Sequence, residues 1–235
     1  MSIQLKEAMT KILSMPYYKN ESAKSGNYVF GHEEAVAEKF KDTGFNEVNS
    51  SKYPKLKNSL KFWADTGNDT ELRKLTEGLE CGSYILQPSG SQSFPDILVK
   101  DFDDRFVAVE CKSSEKDFAP MWNDNLPKPN SIYVFSSGKT NSTTVFLGKD
   151  VITNDIIINQ KIMISELTDV VKKYKTINTD KDMYKRGWDI KFRPQNFQSG
   201  GKNQTDYFNH PDRKKCEGNV LEYCLGIIKN DIETN

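Results

Sequence analysis

Two short apolar segments joined by a polar turn constrain the fold of this chain more than any other part of its sequence. The first segment is residues 94–99, the second is residues 106–114, and all residues between them except Phe102 are charged. Both segments are rich in β-branched and aromatic residues, which predicts two β-strands that pair as a hairpin. A short apolar strand at residues 84–87 would extend this hairpin to three strands of a mixed sheet.

The predicted hairpin carries polar residues on otherwise apolar strands. Asp96 opens the first strand, and Glu110 and Lys112 lie two residues apart on the second, so the latter two side chains point to the same face. Pairing can place Asp96 beside Glu110, where two carboxylates repel each other unless a cation lies between them. Their oxygens suit Mg²⁺, and Lys112 could orient a water or stabilise charge on a phosphate. Taken alone, three such residues also fit a solvated strand edge.

The order Pro95-Asp96, then Glu110-x-Lys112, resembles the signature of the PD-(D/E)xK nuclease superfamily. A helix predicted over residues 32–43, followed by a Ser-Gly-Ser turn and Pro-Asp-Ile, is similar in order to archaeal Holliday-junction resolvases. The longer chain, with much sequence added around that core, looks more like a type II restriction endonuclease. The resemblance implies an α/β (α+β) fold, in which helices flank a mixed central β-sheet with a restriction-endonuclease-like core.

The resemblance also implies what the site residues do. Asp96 and Glu110 would bind Mg²⁺, and Lys112 would assist the attack of a water on a phosphodiester bond. In the family, an acid on the preceding helix often completes the metal site. Its position favours Glu33 for this role, with Glu34 as the substitute. The alternative for either acid is a favourable interaction of its charge with the start of the helix.

We expect one nuclease domain over residues 1–235, with a core at about 31–150 and a DNA-recognition and packing extension at 151–235. A segment at residues 119–129 contains three prolines, which leaves room for one short helical turn at most. The spacing of apolar residues predicts further helices at 2–14, 71–79, 164–174 and 220–228 and further strands at 131–135 and 144–147.

Contacts to double-stranded DNA are expected from loops around the core and from the extension. These segments mix amide, hydroxyl and basic side chains, which suit phosphates and base edges. For each residue the alternative is an ordinary surface loop. The candidates are Ser91, Gln92, Asn123, Lys139, Asn141, Arg186, Arg193, Lys202, Asn203 and Gln204.

Composition excludes several other classes of protein. Lysine plus arginine and aspartate plus glutamate number 33 each, which argues against a uniformly basic DNA-binding protein. No apolar run is long enough to cross a membrane, and the N-terminus lacks a signal-peptide pattern. Four scattered cysteines suggest a reducing compartment, so we expect a cytoplasmic protein.

The sequence therefore predicts a type II restriction endonuclease that hydrolyses double-stranded DNA with Mg²⁺ and leaves 5′-phosphate ends. A homodimer is expected, because a palindromic target matches two-fold symmetry. One alternative is a structure-specific nuclease, either a Holliday-junction resolvase or a DNA-repair nuclease. The other is a catalytically inactive DNA-binding module.

Overall fold

The computed structural model of this protein describes residues 2–18, 31–91, 93–123, 126–178, 195–196 and 205–227. For residues 123, 154, 176–178 and 195–196 it describes the backbone only. Six strands form one mixed sheet, and helices pack around it. The predicted α/β fold with a mixed central sheet flanked by helices is thus confirmed.

Along the described chain, helices precede and follow a run of six consecutive strands. The strands are β1 (Asn46–Glu47), β2 (Ser83–Leu86), β3 (Ile97–Lys100), β4 (Phe106–Ser114), β5 (Trp122–Asn123), β6 (Ser131–Ser137), β7 (Ser142–Leu147) and β8 (Gln195–Asn196). The helices are α1 (Ile3–Leu13), α2 (His32–Lys41), α3 (Leu56–Thr66), α4 (Thr70–Leu75), α5 (Gly148–Val151), α6 (Asn154–Asn178) and α7 (Arg213–Cys224).

The strand order in the main sheet is β1-β2-β3-β4-β6-β7. Strands β2, β3 and β4 are successively antiparallel, β4 runs parallel to β6, and β6 and β7 form a second hairpin. In the β3–β4 pair, Ile97 lies opposite Val109. Strands β5 and β8 form a separate two-stranded sheet.

Strand β4 shows how the sequence builds a core on both faces of the sheet. Val107, Val109 and Cys111 pack on one face against buried side chains of α1, α2 and α7. Phe106 and Ala108 point to the other face, where they meet α3 and α4. Because side chains alternate along a strand, Glu110 and Lys112 continue this second face beyond its apolar part.

Several predicted elements differ in the structure. The helix predicted at 164–174 spans Asn154–Asn178, and the helix predicted at 220–228 spans Arg213–Cys224. Helix α4 was expected to reach Leu79 but ends at Leu75, where the Thr76 hydroxyl bonds the Leu72 carbonyl and Gly78 turns the chain with a φ of 82°. Left-handed backbone of this kind suits glycine and ends a helix. The segment expected to hold a short helical turn instead contributes β5, with Trp122 buried there.

No helix in the described ranges is long and apolar enough to span a lipid bilayer.

Candidate active site

Asp96, Glu110 and Lys112 meet at one end of the β3–β4 hairpin. Asp96 directly precedes β3, and the pairing of Ile97 with Val109 places it across from Glu110. The Lys112 ammonium Nζ lies 2.6 Å from Glu110 Oε1. The amide of Cys111 donates a hydrogen bond of 2.6 Å to Asp96 Oδ2. The expected juxtaposition of the two carboxylates and the lysine is present in the structure.

The carboxyl of Asp96 is the most strongly perturbed acid of this group. Burial, followed by the nearby charges of Glu110 and Glu33, raises its pKa from 3.8 to about 8. Lys112 and the Cys111 amide oppose this rise but do not cancel it. Without a cation, the raised pKa of Asp96 favours its protonated form at neutral pH, because its carboxyl is mostly withdrawn from water and lies near the charges of Glu110 and Glu33. A cation bound there would restore the charged form.

Lys112 remains charged in this setting. Burial by itself would lower the pKa of the ammonium, but the charge and hydrogen bond of Glu110 and the charge of Asp96 raise it above 10.5. The side chain of Lys112 is 28% exposed, whereas that of Glu110 is 13% exposed. A cationic donor that is partly open to solvent and fixed by Glu110 can reach a substrate phosphate at this position.

The two acids of helix α2 have different surroundings. Glu33 Oε2 accepts a hydrogen bond of 3.0 Å from Gln87 Nε2, and its charge raises the pKa of Asp96. Burial raises the pKa of Glu33 itself, with Glu34 and Glu110 adding to the effect. Glu34 instead caps its own helix, because its Oε2 accepts from the Gly31 amide at 2.8 Å. Of the two, Glu33 faces the candidate site.

The oxygen atoms of the candidate site fit a hard divalent cation. Glu110 Oε2 is buried and makes no hydrogen bond, although its partner oxygen Oε1 is bound to Lys112. A buried carboxylate oxygen without a partner is costly, and a cation is one way to satisfy it. Within the described residues, no three His, Cys, Asp or Glu side chains converge as a preformed metal cage. Mg²⁺ commonly takes only one or two protein carboxylates and keeps several waters.

Two further residues belong to this surrounding and were not predicted from the sequence. Gln87 leaves β2 with a left-handed φ of 48°, which turns its side chain to Glu33. His32 is 5% exposed, and burial lowers its pKa to about 4, although the backbones of Val134 and Lys112 oppose the shift. Neither ring nitrogen of His32 has a hydrogen bond of good geometry, so it packs as a neutral ring beside β4.

Three of the candidate DNA contacts lie at the same end of the sheet as the carboxylates. Ser91 is exposed in the turn between β2 and β3. Lys139 and Asn141 lie in the β6–β7 turn, next to the end of β4. Lys139 Nζ lies over the Phe118 ring, 3.9 Å from its centroid. Asn141 Oδ1 accepts a hydrogen bond from the Tyr17 amide, so both side chains already have partners within the chain.

The structure does not describe the side chains of the other candidate DNA contacts. For Asn123 the backbone pairs with Gln195, and its side chain is not described. The remaining candidates lie outside the described residues; they are Gln92, Arg186, Arg193, Lys202, Asn203 and Gln204.

No protein-family model matches the chain, and neither a curated protein nor a solved structure matches it significantly.

Proposed function

We propose that this protein is a Mg²⁺-dependent nuclease of the PD-(D/E)xK type, most like a type II restriction endonuclease. Its substrate would be double-stranded DNA, hydrolysed at phosphodiester bonds to leave 5′-phosphate ends. The main support is the meeting of Asp96, Glu110 and Lys112 at one end of the β3–β4 hairpin, where one buried carboxylate oxygen makes no hydrogen bond. Acidic and cationic side chains arranged in this way suit hydrolysis of a phosphate ester.

Each residue has a distinct role in the proposed reaction. Asp96 and Glu110 would hold Mg²⁺, and Glu33 is the candidate for a further carboxylate, although the three acids do not converge as a preformed metal site in the described residues. The metal would lower the pKa of a bound water and offset negative charge on the phosphate. Lys112 would hold the attacking water in line and donate to a phosphate oxygen as charge develops there. The Cys111 amide holds Oδ2 of the Asp96 carboxylate, and Oδ1 would be the oxygen that binds the metal.

A protein with this function would be a homodimer in the cytoplasm. A homodimer would match a palindromic target. The four cysteines are all free thiols, which supports a reducing compartment and hence the cytoplasm.

The direct test is digestion of sequenced plasmid DNA by the purified protein, with Mg²⁺ or with EDTA. We expect discrete fragments that appear only with Mg²⁺, and mapping their ends would identify the target sequence. A Mg²⁺-dependent smear would contradict sequence specificity and favour a nonspecific or repair nuclease. Cleavage of four-way junctions but not of plain duplex would favour a junction resolvase. DNA binding without any cleavage would favour an inactive binding module.

Replacing Lys112 by Met is expected to slow cleavage by about 100-fold or more, because the ammonium that stabilises developing charge is lost. The Met side chain keeps most of the apolar stem, and the two carboxylates remain to hold Mg²⁺. Single-turnover rates at saturating Mg²⁺ would measure the loss. Lys41→Met, on the exposed last turn of α2, is the matched control and should retain the wild-type rate. Recovery of the full rate by Lys112→Met at higher Mg²⁺ would contradict a role in chemistry.

A further inference from the structure

Helix α6 displays a long apolar stripe to solvent. Ile156, Met163, Leu167, Val170 and Tyr174 are between 40% (Leu167) and 57% (Tyr174) exposed. With 25 residues the helix is about 37 Å long. Scattered apolar side chains on a surface are ordinary, but a continuous stripe of this length marks an interaction site.

The body of the described protein contacts α6 at its first turns, and Ile164 and Val171 further along the helix, on a face beside the stripe, are half-buried. Ile157 is buried, and Lys161 Nζ lies 3.3 Å from an oxygen of Asp65 at the end of α3. Beyond this anchor the stripe carries no buried large apolar side chain, and Leu167, Val170 and Tyr174 all remain exposed. A helix with such a face gains most of its stability from packing that face against another element.

The stripe has the spacing of a coiled-coil seam. Its apolar members and Gln160, which lies between the first two, follow steps of four and three residues in the order Ile156, Gln160, Met163, Leu167, Val170 and Tyr174. This period of 3.5 residues lets two helices stay in contact along their whole length by supercoiling. A partner for such a seam is another helix with the same repeat, and α6 of a second copy of this chain provides it.

We propose that two copies of the protein associate through α6 in an antiparallel pair. The register places Leu167 against Val170 of the second copy and Met163 against Tyr174 of the second copy. Two-fold symmetry then repeats each contact, so the surface is complementary to itself. The proposal does not depend on nuclease activity, and it assigns a surface to the dimer that a palindromic target would require.

Charges beside the seam select this orientation and register. Glu166 and Lys173 occupy the same flank of the seam, seven residues apart. In the proposed register Glu166 of each copy lies beside Lys173 of the other, which makes two ion pairs. Shifting the antiparallel register by one heptad, with Leu167 against Met163 of the second copy, brings the two Glu166 side chains together.

A parallel pair is disfavoured for a similar reason. The last part of α6 carries three lysines. The part before it has four charged residues, of which three are acidic (Asp155, Glu166 and Asp169) and one is basic (Lys161). A parallel pair would gather the lysine-rich ends of both helices at one place, with like charges facing each other. The antiparallel pair sets each lysine-rich end beside the more acidic part of the other helix.

The test is a charge exchange on the full chain, read out as mass by sedimentation equilibrium across a wide range of protein concentration. The wild type should approach twice 26.9 kDa as concentration rises. Lys173→Glu and Glu166→Lys should each weaken association about tenfold or more, because each replaces two attractions by two repulsions. The double variant E166K/K173E should return to within about threefold of the wild type.

Lys172→Glu makes the same change of charge on the opposite side of α6 and should leave association near the wild-type value. Circular dichroism would verify that all variants are folded. A wild type that stays monomeric at every concentration would overturn the proposal and assign the stripe to another partner or to another segment of the chain. A dimer that both single changes leave intact, or that the double variant fails to restore, would overturn the antiparallel register.

Discussion

Mg²⁺-dependent DNA cleavage is expected to fall by at least about 1,000-fold when Asp96 is replaced by Asn. Asparagine has nearly the same shape, and its amide oxygen can still accept the hydrogen bond from the Cys111 amide. The change therefore removes the charge that would hold a cation and leaves the hairpin in place. Initial rates of plasmid nicking at several Mg²⁺ concentrations would measure the effect.

The control for this change is Asp104→Asn in the turn of the same hairpin. Asp104 is exposed and pairs with Arg73 at 2.6 Å, well away from the carboxylates of the site. A surface ion pair of this kind contributes about 1 kcal/mol or less, so the control should cleave at the wild-type rate. If Asp96→Asn kept even a tenth of the wild-type rate while folded, the metal site proposed here would be wrong.

The hairpin and its polar side chains could be predicted because they depend on local rules. Alternation along a strand puts Glu110 and Lys112 on one face, and a short polar turn between two apolar runs predicts antiparallel pairing. Those two rules are enough to bring Asp96 across from Glu110. The α/β class, by contrast, was expected from the resemblance to the PD-(D/E)xK superfamily and not from these local rules.

The remaining features depend on contacts between distant parts of the chain. Gln87 reaches Glu33 only because α2 packs over the sheet and the backbone turns left-handed at the end of β2. The sequence favoured Glu33 over Glu34 only by its position on the helix, and the packing of α2 supplies the physical reason, because Glu34 caps the helix and Glu33 faces the site. For α6, periodicity predicted a helix with an apolar face, but it could not predict that the face is exposed.

The stability of the protein without metal is expected to decrease as pH rises through the range 6.5–8, and Asp96→Asn should remove most of this decrease. The folded-state pKa of Asp96 is raised to about 8, above its value of 3.8 in the unfolded chain. Between these values the folded state binds a proton that the unfolded state does not, so the free energy of unfolding falls with rising pH. Over this window the difference between wild type and variant should change by on the order of 2 kcal/mol.

The window begins at 6.5 because of His32. Its folded-state pKa of about 4 lies below the ordinary value of 6.5, so it contributes a stability that is lost as pH falls below 6.5. At pH 6.5 the ring is still about half protonated in the unfolded chain, and it becomes mostly neutral in both states as the pH rises further. Both proteins contain His32, so this contribution cancels in the difference between them. Urea unfolding, followed by tryptophan fluorescence in EDTA, would measure both proteins across the range.

Mg²⁺ should reverse the effect of pH in the wild type but not in Asp96→Asn. At pH 8 it would bind the ionised Asp96 and Glu110 and raise the free energy of unfolding, by about 2.7 kcal/mol at a concentration 100 times the dissociation constant. At pH 6.5 the gain should be smaller, because Mg²⁺ must displace the proton from Asp96. Asp104→Asn should respond as the wild type does. If Mg²⁺ stabilised Asp96→Asn as much as it stabilises the wild type, the cation would bind elsewhere. The experiment can be done without knowing the DNA target.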